Sequence, residues 1–295
     1  MCEESRFPRT DLATERRRAD LALPGTDFKE SREGRFTVTR IAVGDEVSAR
    51  AIGRPIGRYL TVAFPPLDTL SDGEREALKD VLLREIGSVL PRRRGSGEPI
   101  VLVAGLGNRA IVSDAVGPFT VDRLTATSHL PPCDPELFRA LGCSSVATVA
   151  PGVLADTGVE AAGIVAGVCR ALRPDYVLAI DALAARSADR LLTTVQIADT
   201  GIRPGSGIAN ARSAIDRTAL GIPVISIGVP TVVEAATLVS DRLERAGVPE
   251  ETREEMIERD LFFVTPKDVD LSVGRIARLL ADVISTLYRL PRESD

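Results

Sequence analysis

From Pro99 onward the chain repeats a strand, a loop and a helix, and this rhythm limits the possible folds more than any other feature of the sequence. Short, mostly apolar runs alternate with stretches of helical periodicity; the runs are 100–104, 146–150, 176–180, 194–198 and 223–228. Strands that are apolar along their length are typical of parallel sheets covered on both faces. The pattern predicts an α/β fold for residues 99–295, a three-layer α/β/α sandwich with a mostly parallel central sheet.

The region before this core predicts a smaller, β-containing subdomain over residues 36–98. Polarity alternates at Phe36–Val43 and again up to Phe64, as expected for a hairpin. Ser71 and Glu74 then have the spacing of a capping box, in which each residue binds the other's backbone at a helix start. We therefore expect one hairpin and one helix to be appended to the core.

Two more capping-box pairs predict where helices of the core begin. Thr157 and Glu160 precede a helical stretch that runs to about Leu172. Thr231 and Glu234 precede another. Amphipathic helices between apolar strands are expected to cover the sheet on both faces.

The composition excludes several classes of protein. His129 is the sole histidine, so a histidine-rich zinc site is ruled out and any Ser-His-Asp or Cys-His catalysis would depend on that one residue. The four cysteines lack metal-ligand spacing and are expected to be free thiols. A net charge of −5 gives no overall positive charge that would attract nucleic acid. No apolar run approaches the roughly 18 residues that span a bilayer. We expect a cytoplasmic protein without membrane or direct nucleic-acid partners.

Two aspartates follow strands of the predicted sheet, where sites of open α/β sheets collect. Asp181 comes directly after the run 176–180, and Asp114 follows the run 100–104 through a glycine-containing loop. Two neighbouring carboxylates can hold different pKa values, so that one acts as a base and the other as an acid on a water molecule. An aspartate at such a position is also a common helix cap or surface charge, and the spacing alone does not decide between these interpretations.

Several motifs, in this order, resemble those of the germination protease family, and the resemblance extends from Arg9 to about Leu287. The stretches that carry it are Gly105–Asn108, Asp114–Pro118, Ala150–Val153, Ile180–Ser187, Gln196–Gly207, Gly228–Val233 and Val264–Asp268. Small departures are Val116, where leucine is common in the family, and Ser113, where proline is expected.

The resemblance implies an endopeptidase of dormant spores that depends on Asp114 and Asp181. It implies small acid-soluble spore proteins as substrates, a homotetramer, location in the spore core, no cofactor, and a fold similar to that of hydrogenase maturation proteases. Beside the aspartates we single out five supporting residues: Gly105, Gly107, Asn108, Arg186 and Asp199. Backbone amides of the loop from Gly105 to Asn108 are candidates for holding a developing oxyanion.

The N-terminal region is polar, rich in charge and weakly periodic, and is expected to be mobile or loosely docked. Within it, Arg9–Glu15 resembles the self-cleavage site of the family and the acidic-apolar-Ala sequence cut in its substrates. The resemblance implies a precursor that cleaves itself, and we place the cut between Asp11 and Leu12. This divides the region into a pro-segment, residues 1–11, and a polar segment, residues 12–35.

Two other functions fit parts of the sequence. A metal-assisted processing protease of the hydrogenase-maturation type has a related glycine loop followed by an acidic residue, and a hard cation could bind to carboxylates and water alone. A non-catalytic α/β binding domain would keep the fold without the reaction. Activity that survives a chelator would count against the metal-assisted protease. A binding domain would tolerate Asp181→Asn with its binding unchanged, whereas a protease would lose its activity.

Overall fold

The computed structural model describes residues 10–15, 23–91, 98–204, 213–257 and 262–291. Residues 1–9 of the predicted pro-segment, residues 16–22 of the polar segment and motif residues 205–207 lie outside the described residues. The strands are β1 Thr26–Glu33, β2 Phe36–Val43, β3 Gly57–Ala63, β4 Ile100–Gly105, β5 Ser145–Val149, β6 Tyr176–Ala185, β7 Thr194–Ala198, β8 Val224–Glu234 and β9 Phe263–Val264.

The helices surround one sheet. They are α1 Glu46–Ile52, α2 Asp72–Val89, α3 Val116–Val121, α4 Leu130–Cys133, α5 Pro135–Leu141, α6 Leu154–Thr157, α7 Ala161–Leu172, α8 Arg217–Leu220, α9 Ala235–Arg245, α10 Glu250–Met256 and α11 Val269–Tyr288. Three further 3-10 turns that matter below are Ala13–Glu15, Val112–Asp114 and Ala188–Arg190.

The strands form one mixed sheet in the order β1-β2-β3-β7-β8-β6-β4-β5, and β9 pairs with β8. The pairs β8-β6, β6-β4 and β4-β5 are parallel, as the apolar runs predict. The hairpin strands β2 and β3 continue this sheet through the antiparallel pair β3-β7. The predicted α/β class is confirmed, and the predicted hairpin extends the core sheet instead of forming a sheet of its own.

Helices cover both faces of the parallel half. On one face α2, α3 and α11 pack against alternate strand residues such as Val103, Ile180 and Ile227. On the other face α7 and α8 pack against Leu102 and Ala179. Because side chains alternate across a strand, two successive apolar residues serve the two different cores. This explains why the core strands are apolar throughout.

Helix starts were predicted with mixed success. Ser71 forms the predicted capping box with Glu74 at the start of α2. Thr157, however, ends the short helix α6, and α7 begins after Glu160 and ends at Leu172. Thr231 lies within β8 rather than at a helix start, because β8 keeps pairing with β6 up to Val233. The capping-box predictions at Thr157 and Thr231 were therefore wrong, although a helix follows each.

The N-terminal region is more ordered than its composition predicts. Thr26–Glu33 forms an edge strand, and a hairpin pairs it along its length with β2. Leu12 and Ala13 are fully buried. The expectation of a loosely docked segment was wrong for these residues, since a few apolar side chains anchor an otherwise polar stretch.

Across the part of the chain that the structure describes, no helix combines the length and the apolar character needed to cross a bilayer.

Candidate active site

Asp181 lies within β6, where β6 passes the end of its neighbour β4. Gly105 is the last residue of β4 and pairs with Ile180, so Asp181 is the first β6 residue beyond that end. The sequence predicted that the strand would end at Ile180, whereas β6 continues to Ala185 because its pairing with β8 continues. Asp181 is only 6% exposed, and one of its carboxylate oxygens accepts a hydrogen bond of 3.0 Å from the backbone N–H of Ala182. Asp181 is therefore a buried, hydrogen-bonded carboxylate within β6, and the prediction that it follows the end of its strand was wrong.

The glycine loop after β4 carries Asp114 back to the same edge. The backbone N–H of Asn108 donates to Asp114 Oδ2 over 2.8 Å. Gly107 has a φ of 116°, and a Cβ atom there would overlap with the carbonyl oxygen of Asp114. A Cβ atom at Gly105 would likewise overlap with the carbonyl oxygen of Gly117. The loop therefore needs both glycines to bring Asp114 onto the end of β4.

A β-bulge in β8 supports this loop from the other side. The register between β6 and β8 shifts after Leu183, so that Thr231 has no counterpart on β6. Its hydroxyl donates to the carbonyl oxygen of Ser113 over 2.6 Å. Bulges often redirect a side chain beside an active site. Here the bulge ties the residue before Asp114 to the strand next to Asp181.

Two amides of the glycine loop already have acceptors. The N–H of Leu106 donates to the carbonyl oxygen of Ile180 over 2.8 Å, and that of Asn108 donates to Asp114. These contacts lock the loop to β6 and orient the carboxylate of Asp114. They also leave fewer donors for the oxyanion role that the sequence assigned to this loop.

Residues 10–15 lie along the same sheet, and the predicted cleavage site is among them. The N–H of Asp11 donates to the carbonyl oxygen of Ala184, and the N–H of Ala184 donates to Asp11 Oδ2, both over 2.9 Å. Leu12 is fully buried in an apolar cluster with Leu183 and Ala185. Burial of a leucine side chain contributes about 2 kcal/mol. The bond between Asp11 and Leu12 is thus held beside the strand that carries Asp181.

Gln196 binds the backbone on both sides of that bond. Its Nε2 donates to the carbonyl oxygen of Asp11 over 3.0 Å, and its Oε1 accepts from the N–H of Ala13 over 2.7 Å. Sequence reasoning missed this residue. The one available signal was an amide side chain within the run 194–198, whose other residues are buried.

Glu15 anchors the end of this segment. Its carboxylate accepts from the N–H of Arg186 over 2.7 Å and from the N–H of Ser187 over 3.0 Å. It also accepts from the hydroxyl of Thr10. Two backbone donors and a hydroxyl form a small binding site for a carboxylate, four residues after Asp11.

The other two predicted supporting residues are engaged elsewhere. Arg186 forms ion pairs with Asp241 and Glu244 of α9. Asp199 accepts from the backbone and the guanidinium of Arg58, each over 2.7 Å. Both charges are therefore balanced by partners other than the two candidate catalytic aspartates.

A cleft of about 780 Å³ opens beside Asp11. Arg54 lies on one wall and donates to the carbonyl oxygen of Thr10 over 2.7 Å. Tyr59 lines the same wall, and burial raises the pKa of its phenol above the ordinary value, so that it stays neutral at physiological pH. The cleft is large enough for several residues of an extended peptide.

Within the described ranges, no group of three or more His, Cys, Asp or Glu side chains is arranged to share a metal ion. His129, the sole histidine, is exposed at the start of α4.

Comparison with known proteins identifies relatives of the whole chain. Residues 9–260 match the model of the germination protease family. A germination protease of Caldanaerobacter subterraneus subsp. tengcongensis is 37% identical over 291 residues, which cover 97% of this chain and 88% of the relative. One from Clostridium tetani is 34% identical and covers 94% of both chains. One from Priestia megaterium is 38% identical over 80% of this chain and 66% of its own.

Among solved structures, the chain has a distant likeness to the [NiFe] hydrogenase maturation protease HycI from Thermococcus kodakarensis. The TM-score is 0.36 and the identity is 16%, over 71% of this chain and 99% of the other.

Proposed function

The chain belongs to the germination protease family, and from this premise we propose that it is an aspartate-dependent endopeptidase that degrades small acid-soluble spore proteins in the spore core. The observation that carries the proposal is the position of residues 10–15. An acidic residue hydrogen-bonded to β6, the strand that bears Asp181, is followed by a leucine buried against that strand and by an alanine. A substrate with the same sequence pattern fits the same contacts.

Asp114 and Asp181 act together as the general acid and the general base of the reaction. One carboxylate takes a proton from a water molecule as its oxygen adds to the peptide carbonyl carbon. The other gives a proton to the amide nitrogen as the C–N bond breaks. General acid and base groups of this kind each contribute roughly 10²- to 10⁴-fold. The two carboxylates act as a coupled pair, so neither role is assigned to one residue.

The precursor cleaves itself between Asp11 and Leu12. Hydrogen bonds from Asp11 to β6 and the burial of Leu12 support this bond as the one presented for cleavage. The proposal includes a homotetramer as the working assembly, and it includes no metal or other cofactor.

The experiment that tests the function is mass spectrometry of the purified full chain incubated with a small acid-soluble spore protein, with and without chelator. We expect discrete cuts after acidic residues, a new N-terminus at Leu12, and no effect of the chelator. Activity that chelator abolishes would favour the metal-assisted alternative. A chain that binds the spore protein but cuts neither it nor itself would favour a binding domain.

Replacing Glu15 by alanine is expected to slow self-cleavage about tenfold. The change removes the carboxylate that accepts from the amides of Arg186 and Ser187, and a hydrogen bond to a charged group contributes about 1.5–3 kcal/mol. The measurement is the rate at which the product starting at Leu12 appears. Glu76→Ala, on the exposed side of α2, is the control and should match the unaltered chain. Equal rates for both variants would show that the carboxylate site does not help to present the bond.

A further inference from the structure

Gln196 touches the carbonyl group of the bond that we propose is cut. That carbonyl oxygen belongs to Asp11, and Nε2 of Gln196 lies 3.0 Å from it. The second contact, from the N–H of Ala13 to Oε1, fixes the amide group in this orientation, because only the oxygen can accept and only the nitrogen can donate. The side chain thus forms hydrogen bonds with backbone atoms on both sides of the bond, and with no side chain of residues 10–15.

The sheet places Gln196 opposite Asp181. Gly228 of β8 pairs with Gln196 of β7 on one side and with Asp181 of β6 on the other. Residues that pair directly project to the same face of a sheet, so the side chains of Gln196 and Asp181 share a face. Two strand spacings separate their backbones, about 9.6 Å. A side chain at Gly228 would collide with Leu183, on which Leu12 packs. Leu12 therefore packs on the face of the sheet that Gln196 and Asp181 share.

We infer that Gln196 is a catalytic residue that stabilises the oxyanion formed when water adds to the peptide carbonyl, an inference that rests on the proposed function. When the new C–O bond forms, the carbonyl π electrons move to the oxygen that Nε2 already contacts. When the C–N bond breaks, they return to re-form the carbonyl, and the leaving nitrogen takes up a proton. A donor fixed in advance at this oxygen needs no reorganisation as the charge develops.

The rest of the site is consistent with this role. The amides of Leu106 and Asn108 in the glycine loop have other acceptors. Gln196 contacts only backbone atoms of its target, so the same two contacts serve any peptide that adopts the backbone conformation of residues 11–13. This makes one side chain suitable both for cleavage of the chain's own segment and for cleavage of a separate substrate.

The test compares kcat and KM for a synthetic peptide of residues 9–18, together with the rate of self-cleavage of the full chain. Gln196→Met has a similar shape and removes both contacts, whereas Gln196→Glu keeps an acceptor for the Ala13 amide and removes the donor. We expect kcat to fall about 10²- to 10³-fold in both variants, the range found when one oxyanion donor is lost. We expect KM to rise in Gln196→Met and to stay near the value of the unaltered chain in Gln196→Glu.

Thr194→Val, an isosteric change in the same strand, controls for packing, since the described residues give the Thr194 hydroxyl no hydrogen-bond partner. It should keep full activity, and all variants should retain their melting temperature within a few degrees. Gln196 variants that keep kcat within threefold, or that change only KM, would overturn the inference. In that case an inactive Asp181→Asn variant would still support the proposed function. An unaltered chain that cuts nothing would overturn both, and that outcome is recognised without any variant.

Discussion

Replacing Asp181 by asparagine is expected to lower the rate of peptide cleavage by about 10³-fold or more. Asparagine keeps the shape of the side chain but cannot take or hold a proton during the reaction. The fold should survive, because asparagine can still accept from the N–H of Ala182. The measurement is kcat on a small acid-soluble spore protein, together with the mass of the chain, which should remain uncut at Asp11.

Asp175→Asn is the matched control for this variant. Asp175 directly precedes β6, at the end far from Asp181, and its carboxylate likewise accepts from a backbone N–H, that of Ile100, over 2.8 Å. We expect the control to keep its activity. If Asp181→Asn cleaved the spore protein at the rate of the control, Asp181 would take no part in the reaction and the proposed aspartate mechanism would be wrong.

The largest effect on stability is expected from Gly117→Ala. A Cβ atom at Gly117 would lie within 2.5 Å of backbone atoms of Leu106 and Ile180. These atoms belong to the hydrogen-bonded junction of the glycine loop and β6, so neither can move without breaking the bond between them. Overpacking of a core lowers the free energy of unfolding by about 1–3 kcal/mol. Because the clash here is with backbone atoms, we expect a loss at or above about 3 kcal/mol. The measurement is the free energy of unfolding from denaturant titration.

The control is the same change at Gly87, within α2, where an added Cβ atom meets no other atom within 4 Å. Alanine is the better helix former, so Gly87→Ala should raise the free energy of unfolding by up to about 1 kcal/mol. The effects should therefore have opposite signs. A Gly117→Ala chain as stable as its parent would mean that α3 does not seat on the ends of β4 and β6 as described.

The sequence predicted the parallel core well because its signals there are local. Apolar runs as short as 100–104 indicate strands that are buried on both faces. The order of these runs along the chain implies which edge of the sheet carries Asp114 and Asp181. The prediction that the strand ends just before Asp181 was wrong because pairing between β6 and β8 continues beyond this residue. That continuation depends on a distant strand and has no signature near Asp181.

The contacts of the N-terminal region could not be predicted for a different reason. Thr26–Glu33 is an edge strand whose side chains are largely exposed, so it lacks the apolar alternation that marks a half-buried strand. Leu12 and Ala13 lie in an otherwise polar stretch, and only the sheet surface that receives them explains their burial. Gln196 has the same limitation, because its role depends on backbone atoms about 185 positions away in the chain.

The continuity of the sheet has a mechanical consequence for the site. Gln196 belongs to the antiparallel part and Asp181 to the parallel part, yet both pair with Gly228 of the same strand. A hinge between the two parts would have to break the ladder between β7 and β8, so opening and closing of two lobes is not available to this protein as a way to admit substrate. Under the proposed function, a substrate peptide would enter along the surface of this continuous sheet, and residues 10–15 would have to leave that surface first.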